Sequence, residues 1–150
     1  MKTLRKVAGW ILPVLAVAAF AAGCEDLTTG GNRTVYSVVI ADAGTGATLV
    51  TINGDRTITG NLSVAAGATR NLEFRLLNNS GSLITVGSGD DIRVNVTNTV
   101  VAGFTATQLG QGTLRGTLQG KTGGNTSLVV QYLEGGLLSF ESASVTVNVT

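Results

Sequence analysis

From Arg33 onward the chain alternates apolar and polar residues with a period of two, in run after run. Leu72, Phe74 and Leu76 alternate with Asn71, Glu73 and Arg75, and Ile92, Val94 and Val96 with Arg93, Asn95 and Thr97. Leu128, Val130 and Tyr132 oppose Ser127, Val129 and Gln131, and Val145, Val147 and Val149 oppose Ser144, Thr146 and Asn148. Successive side chains of an extended strand point to opposite faces, so each run has one face for a core and one for water. This is the pattern of antiparallel sheets. Beyond the N-terminal segment, no window carries the i, i+3, i+4, i+7 stripe that a helix requires.

Turn chemistry separates the runs. Asn53-Gly54 predicts a hairpin between residues 48–52 and 56–59. Residues 78–81, 87–90 and 120–125 read as loops, and Gly135-Gly136 as a tight reversal. Gly116, flanked by Leu114 and Leu118 within a strand, marks a bulge or a close backbone approach. About eight or nine short strands, spaced roughly 8–14 residues apart with no internal repeat, predict one all-β domain. A sandwich with Greek-key connections is favoured over a barrel.

Residues 1–23 differ in kind. Lys2, Arg5 and Lys6 precede an uncharged stretch over 7–20, followed by Ala21-Ala22-Gly23-Cys24. A basic start, a short apolar run and small residues are the parts of a secretory signal. The uncharged stretch ends short of the roughly 20 residues that span a bilayer, and Pro13 interrupts it, which disfavours a retained anchor. The Cys directly after Ala-Ala-Gly resembles the lipobox of bacterial lipoproteins, with Ala21 where that family more often has Leu. The resemblance implies a signal-peptide helix, cleavage between Gly23 and Cys24, and a diacylglycerol on the Cys24 sulfur with further acylation such as palmitate. It places the protein on a membrane of the bacterial cell envelope, with the outer membrane or cell surface ahead of the inner membrane. Residues 24–32 are then the lipidated Cys and a polar tether whose eight linker residues span roughly 15 Å. The domain begins at residue 33.

Composition removes most chemistry. The chain has no His, one Cys and one Pro. Without His there is no Ser-His or Cys-His pair, and the commonest metal ligand is missing. With Cys24 as the lipid site, no disulfide can brace the domain, so core and backbone ladder must hold it. The formal charge is +1, and three of the ten basic residues lie in the first six positions. No electrostatic footprint for nucleic acid results. The Gly-rich segments lack the phosphate-cradling spacing and precede no helix, which excludes nucleotides.

The remaining candidates are few. Asp90 and Asp91, in a Gly-rich loop, are weak candidates for Ca²⁺, an ion that takes six to eight oxygens. A plain turn is the favoured reading there and for Asp42 and Asp55. Glu134 and Glu141 flank a predicted hairpin turn and read as solvated charges rather than a glycosidase pair. Lys121 lies in a Gly loop without the burial that a Ser-Lys dyad needs. Tyr36 and Phe104 are the aromatics open to stacking a sugar, whereas Phe74 and Tyr132 fall on core-facing positions. No catalytic residue, metal or cofactor is expected.

A second resemblance covers both ends of the domain. Leu62-Ser63-Val64-Ala65-Ala66-Gly67-Ala68-Thr69-Arg70-Asn71-Leu72-Glu73-Phe74, then Asn79-Ser80-Gly81-Ser82-Leu83-Ile84, resembles the opening of bacterial Ig-like domains. Gly124-Asn125-Thr126-Ser127-Leu128-Val129-Val130-Gln131-Tyr132 and the closing Val-x-Val-x-Val strand resemble their end. The Trp that many of them carry after the second turn is absent. The resemblance implies an Ig-like β-sandwich and a non-catalytic adhesive, scaffold or spacer role with a protein partner in the envelope. A small module for glycan or Ca²⁺ is the alternative. The terminal strand, with Val145, Val147 and Val149, is the sheet edge expected to meet a partner.

Overall fold

A computed structural model describes residues 33–150, and all eleven of its regular elements are strands. They are β1 Ser37–Asp42, β2 Thr48–Ile52, β3 Ile58–Gly60, β4 Leu62–Val64, β5 Thr69–Leu77, β6 Asp91–Val96, β7 Ala102–Gly110, β8 Thr113–Gly120, β9 Gly124–Glu134, β10 Leu137–Glu141 and β11 Val145–Val149. The signal, the cleavage site at Gly23 and Cys24, and the tether lie outside the described residues. One sheet has the order β3-β2-β1-β5-β8-β7; the other has β10-β9-β11-β4, with β6 paired to β9. The order β1-β5-β8-β7 facing β11-β9-β6 is that of a constant-type immunoglobulin sandwich, to which β2 and β3 are added beyond β1. The fold is all-β and Ig-like.

The alternation supplies the core. Leu72, Phe74 and Leu76 of β5, Leu114 and Leu118 of β8, and Leu128, Val130 and Tyr132 of β9 are all buried between the sheets. Side chains of this size each contribute about 1.5–3 kcal/mol when fully removed from water. Phe104 of β7 meets Phe74 edge to face, with ring centroids 5.2 Å apart. Gly116 lies beneath that Phe104 ring, where any Cβ would collide with it and with the Thr105 carbonyl. The register of β7 slips beside this glycine, between Ala106 and Gln108. Bulge and close approach therefore occur together.

Three sequence expectations change. Asn53-Gly54 does start the β2–β3 hairpin, but the loop is longer than two residues. Arg56 N–H donates to the Asn53 carbonyl at 2.9 Å, and Asn53 N–H donates to the Thr57 carbonyl at 2.9 Å. Arg56 takes a left-handed φ of 68°, the geometry of a three-residue hairpin loop with a bulge. Asp55 stabilises it by accepting from the Thr57 N–H at 2.9 Å and hydroxyl at 2.6 Å. Second, the described residues form eleven strands rather than eight or nine; among those the sequence did not single out is β7, whose bulge exchanges the two faces mid-strand.

The third change concerns the terminal strand. β11 is not an edge. Val145, Val147 and Val149 are buried, and β11 runs antiparallel to β9 on one side and parallel to β4 on the other. β4 reaches it because the chain leaves β3 at Gly60 and crosses from one sheet to the other. Gly60 has φ 93°, and a Cβ there would strike the Leu49 carbonyl. That crossing joins the sheets along one side, as the consecutive strands β6 and β7 do along the other.

Candidate functional site

The described residues offer two sheltered carboxylates, and each is occupied from within the fold. Asp90 precedes β6 at the end of the sandwich where the chain enters, with 4% of its side chain exposed. Its Oδ2 accepts from Gly87 N–H at 2.6 Å and from the Tyr132 hydroxyl at 2.9 Å, and its Oδ1 accepts from Gly135 N–H at 3.1 Å. Arg33 Nη1 stands 4.0 Å away. The Gly87 N–H, then the Tyr132 hydroxyl, hold the Asp90 carboxyl below its ordinary range. The Tyr132 phenol is pushed up, chiefly by burial and then by the adjoining carboxylate. Asp90 therefore clamps the entering chain, the 87–90 loop, β9 and the β9–β10 turn.

Glu73 lies on the outer face of the larger sheet, directly across from Arg115 of β8. Its side chain is 8% exposed and lies between two guanidinium groups, accepting from Arg75 Nε at 2.5 Å and Arg115 Nε at 2.6 Å. Its pKa is lowered, first by the Arg75 hydrogen bond. At the far end, Asp42 accepts from Arg70 Nε at 3.3 Å, while Arg70 Nη1 donates to the Ser63 carbonyl at 3.2 Å and so ties the two sheets. The Thr45 N–H is the leading cause of a lowered Asp42 pKa.

The Ca²⁺ candidates do not converge. Asp90 is spent on the clamp, and Asp91 accepts from Arg93 Nε at 2.8 Å. Among the described residues, no three His, Cys, Asp or Glu side chains gather where an ion could be held. Glu141 accepts from Gln131 Nε2 at 2.7 Å across the β9–β10 ladder, and Lys121 Nζ donates to the Thr99 carbonyl at 2.9 Å. Asp55 stabilises its own turn, and Glu134 ends β9 beside that strand's hairpin turn. Phe74 and Tyr132 are core residues; Phe104 is partly buried against them. Tyr36 is exposed, with its ring lying over Gly54.

The described residues include two shallow grooves. One, of ≈ 470 Å³, is lined by Thr97, Asn98, Asn125, Thr126, Ser127 and Thr146. The other, of ≈ 320 Å³, lies along β6 and β7, where Phe104 and Ala106 meet Ile92 and Val94. Neither brings an acid, a base and a nucleophile together. Sequence reasoning missed Glu73 as a buried acid. Its signal was Arg75 two residues on, which shares its face, but the second cation comes from the register of β8. It also missed Leu137 and Leu138, which stand 78% and 57% exposed beside the Gly135-Gly136 turn.

Neither a protein-family model nor a curated protein sequence matches the chain. Solved structures give partial likenesses. Domains 4 and 5 of the S-layer protein SbsC align with a TM-score of 0.49 at 22% identity, covering 61% of this chain and 48% of that one. This chain thus spans about half that length. Domains 4–9 of the surface layer protein SbsC align at 0.49 and 16% identity, over 79% of this chain and 22% of that one. The Lin-41 filamin domain aligns at 0.38 and 16% identity, over 59% of this chain and 82% of that one. The Ig-like assignment rests on the strand order and pairing.

Proposed function

We propose that this protein is a non-catalytic structural or protein-interaction module, held at a bacterial membrane by a lipid on Cys24. The observation that carries the non-catalytic reading is the engagement of Glu73 and Asp90. The two most sheltered acids are both consumed by ion pairs and hydrogen bonds that hold strands and loops together. A general acid or base requires a titratable group aimed at open space, with a pKa moved toward neutrality. Both of these groups are moved the other way. The anchoring reading is supported by Ala21-Ala22-Gly23-Cys24 after a basic and apolar segment. A lipid-tethered sandwich of this kind acts through its surface and its distance from the bilayer, as an adhesive or scaffold element of the envelope.

The test combines mass and binding. Protein isolated from cells is expected to begin at Cys24, carry acyl mass and partition into detergent, and Cys24→Ala abolishes all three. An intact 1–23 segment on the mature protein overturns the anchor. Glycans or Ca²⁺ are expected to leave the melting temperature unchanged. A specific ligand at 100 times its Kd would instead add about 2.7 kcal/mol, and that result replaces the present reading with a ligand-binding module.

A further inference from the structure

The exposed large apolar side chains are distributed unevenly. Among the described residues, Tyr36, Ile58, Leu83, Leu137 and Leu138 lie toward the end of the sandwich at which the chain enters, Leu109 lies nearer mid-height, and Val100 lies at the other end. Leu137 and Leu138 are the most prominent, standing just past the Gly135-Gly136 hairpin turn. Asp90 fixes that turn beside the point of entry, because one carboxylate accepts from Gly135 N–H and faces Arg33. The exposed apolar side chains are spread over both sheets, and Leu137 and Leu138 are the adjacent exposed pair at this end, the kind of apolar surface that marks a contact.

The length of chain before Arg33 decides what can cover this end. Cys24 lies nine residues before Arg33, and nine fully extended residues reach at most about 30 Å. The 11 residues of β9 run the length of the sandwich, roughly 36 Å at the rise of a strand. A lipid on Cys24 therefore keeps the leucine-bearing end near the bilayer, and the tether is too short to present the Val100 end to it. We infer that the end carrying Leu137 and Leu138 rests on the lipid surface that holds Cys24, with the two leucines entering the boundary between headgroups and acyl chains. This rests on the lipid-anchor reading above. Interfacial binding scales with buried apolar area as well as with basic charge; here Asp55, Asp90, Asp91, Glu134 and Glu141 outnumber Arg33, Arg56 and Arg93, so the leucines and the lipid on Cys24 carry the contact without electrostatic help.

Tryptophan replaces each apolar residue in turn, since the only Trp, Trp10, lies in the signal. Full-length protein carrying Leu138→Trp or Val100→Trp is purified from membranes and reconstituted into phosphatidylcholine vesicles with brominated acyl chains. Mass spectrometry records the lipid on Cys24 in the same samples. Bromine is expected to quench Leu138→Trp several-fold more than Val100→Trp, and Leu137→Trp provides a second reporter at a site open enough to accept the ring. Equal quenching at both ends, or none at either, in protein acylated on Cys24 overturns the inference while leaving the anchor in place. Emission from the Leu138→Trp variant that is blue-shifted yet unquenched means that the ring is buried against protein, in these vesicles a second copy of the chain, and also overturns it. An unmodified Cys24 removes the anchor and the inference together, and the mass identifies which has failed.

Discussion

Asp90 joins four segments through one carboxylate. Burial of Tyr132 between the sheets forces its hydroxyl to find a partner at the sandwich end, and Asp90 provides it. Tyr132→Phe is expected to cost about 1.5–3 kcal/mol, the net value of a hydrogen bond to a charged group, and to lower the melting temperature without loss of fold. The same pair sets a pH dependence whose two limbs have opposite signs. Asp90, Glu73, Asp42 and Asp55 have lowered native pKa values. Their contribution is fully present above the unfolded carboxylate values of about 4 and is lost as pH falls through the native ones. Tyr132 is raised. Its contribution is present below the unfolded value of about 10 and is lost as pH rises through the native one. Melting curves across pH should therefore show a plateau from about pH 5 to 9, because no His titrates within it. In Tyr132→Phe the alkaline decline attributable to this residue should vanish and the acid limb remain. A midpoint that still falls as steeply above about pH 10 in this variant would remove Tyr132 from the account.

At the scale of elements, strands with unbroken alternation were legible and those with a bulge were not. β5, β6, β9 and β11 each keep one parity through their length, so their core-facing residues follow the sequence, although Glu73 of β5 is buried as well, on the outer face. β7 changes parity between Ala106 and Gln108, and no single-residue property announces the slip. Gly116 did announce a close approach, and the Phe104 ring is what approaches. Gly116→Ala is expected to cost about 1–3 kcal/mol by overpacking against that ring. Phe104→Leu should relieve part of it, so the double variant should lose less than the sum of the singles. Strictly additive losses in urea unfolding would mean that the Thr105 carbonyl, not the ring, sets the limit.

For the whole molecule, the crossings β3–β4 and β6–β7 and the Arg70 tie make the two sheets one unit. Phe74 packs in the shared core and reaches Phe104 on the edge strand. Phe74→Ala is expected to cost about 3–5 kcal/mol and to shift a single cooperative transition, unchanged by reductant. Two separated transitions would show that the sheets unfold independently. By itself the sequence determined the β period, the core-facing residues, the punctuating turns and the absence of His and disulfide chemistry. Each is a local property, fixed by side-chain parity, backbone freedom or residue type. Only the tertiary structure decided which strands lie side by side, that β11 is interior, that Arg115 joins Arg75 on Glu73, and that the exposed leucines share a pole with the chain's entry. Those depend on register and on sheet crossings between segments far apart in the chain, and alternation reports a strand's faces but not its lateral neighbours.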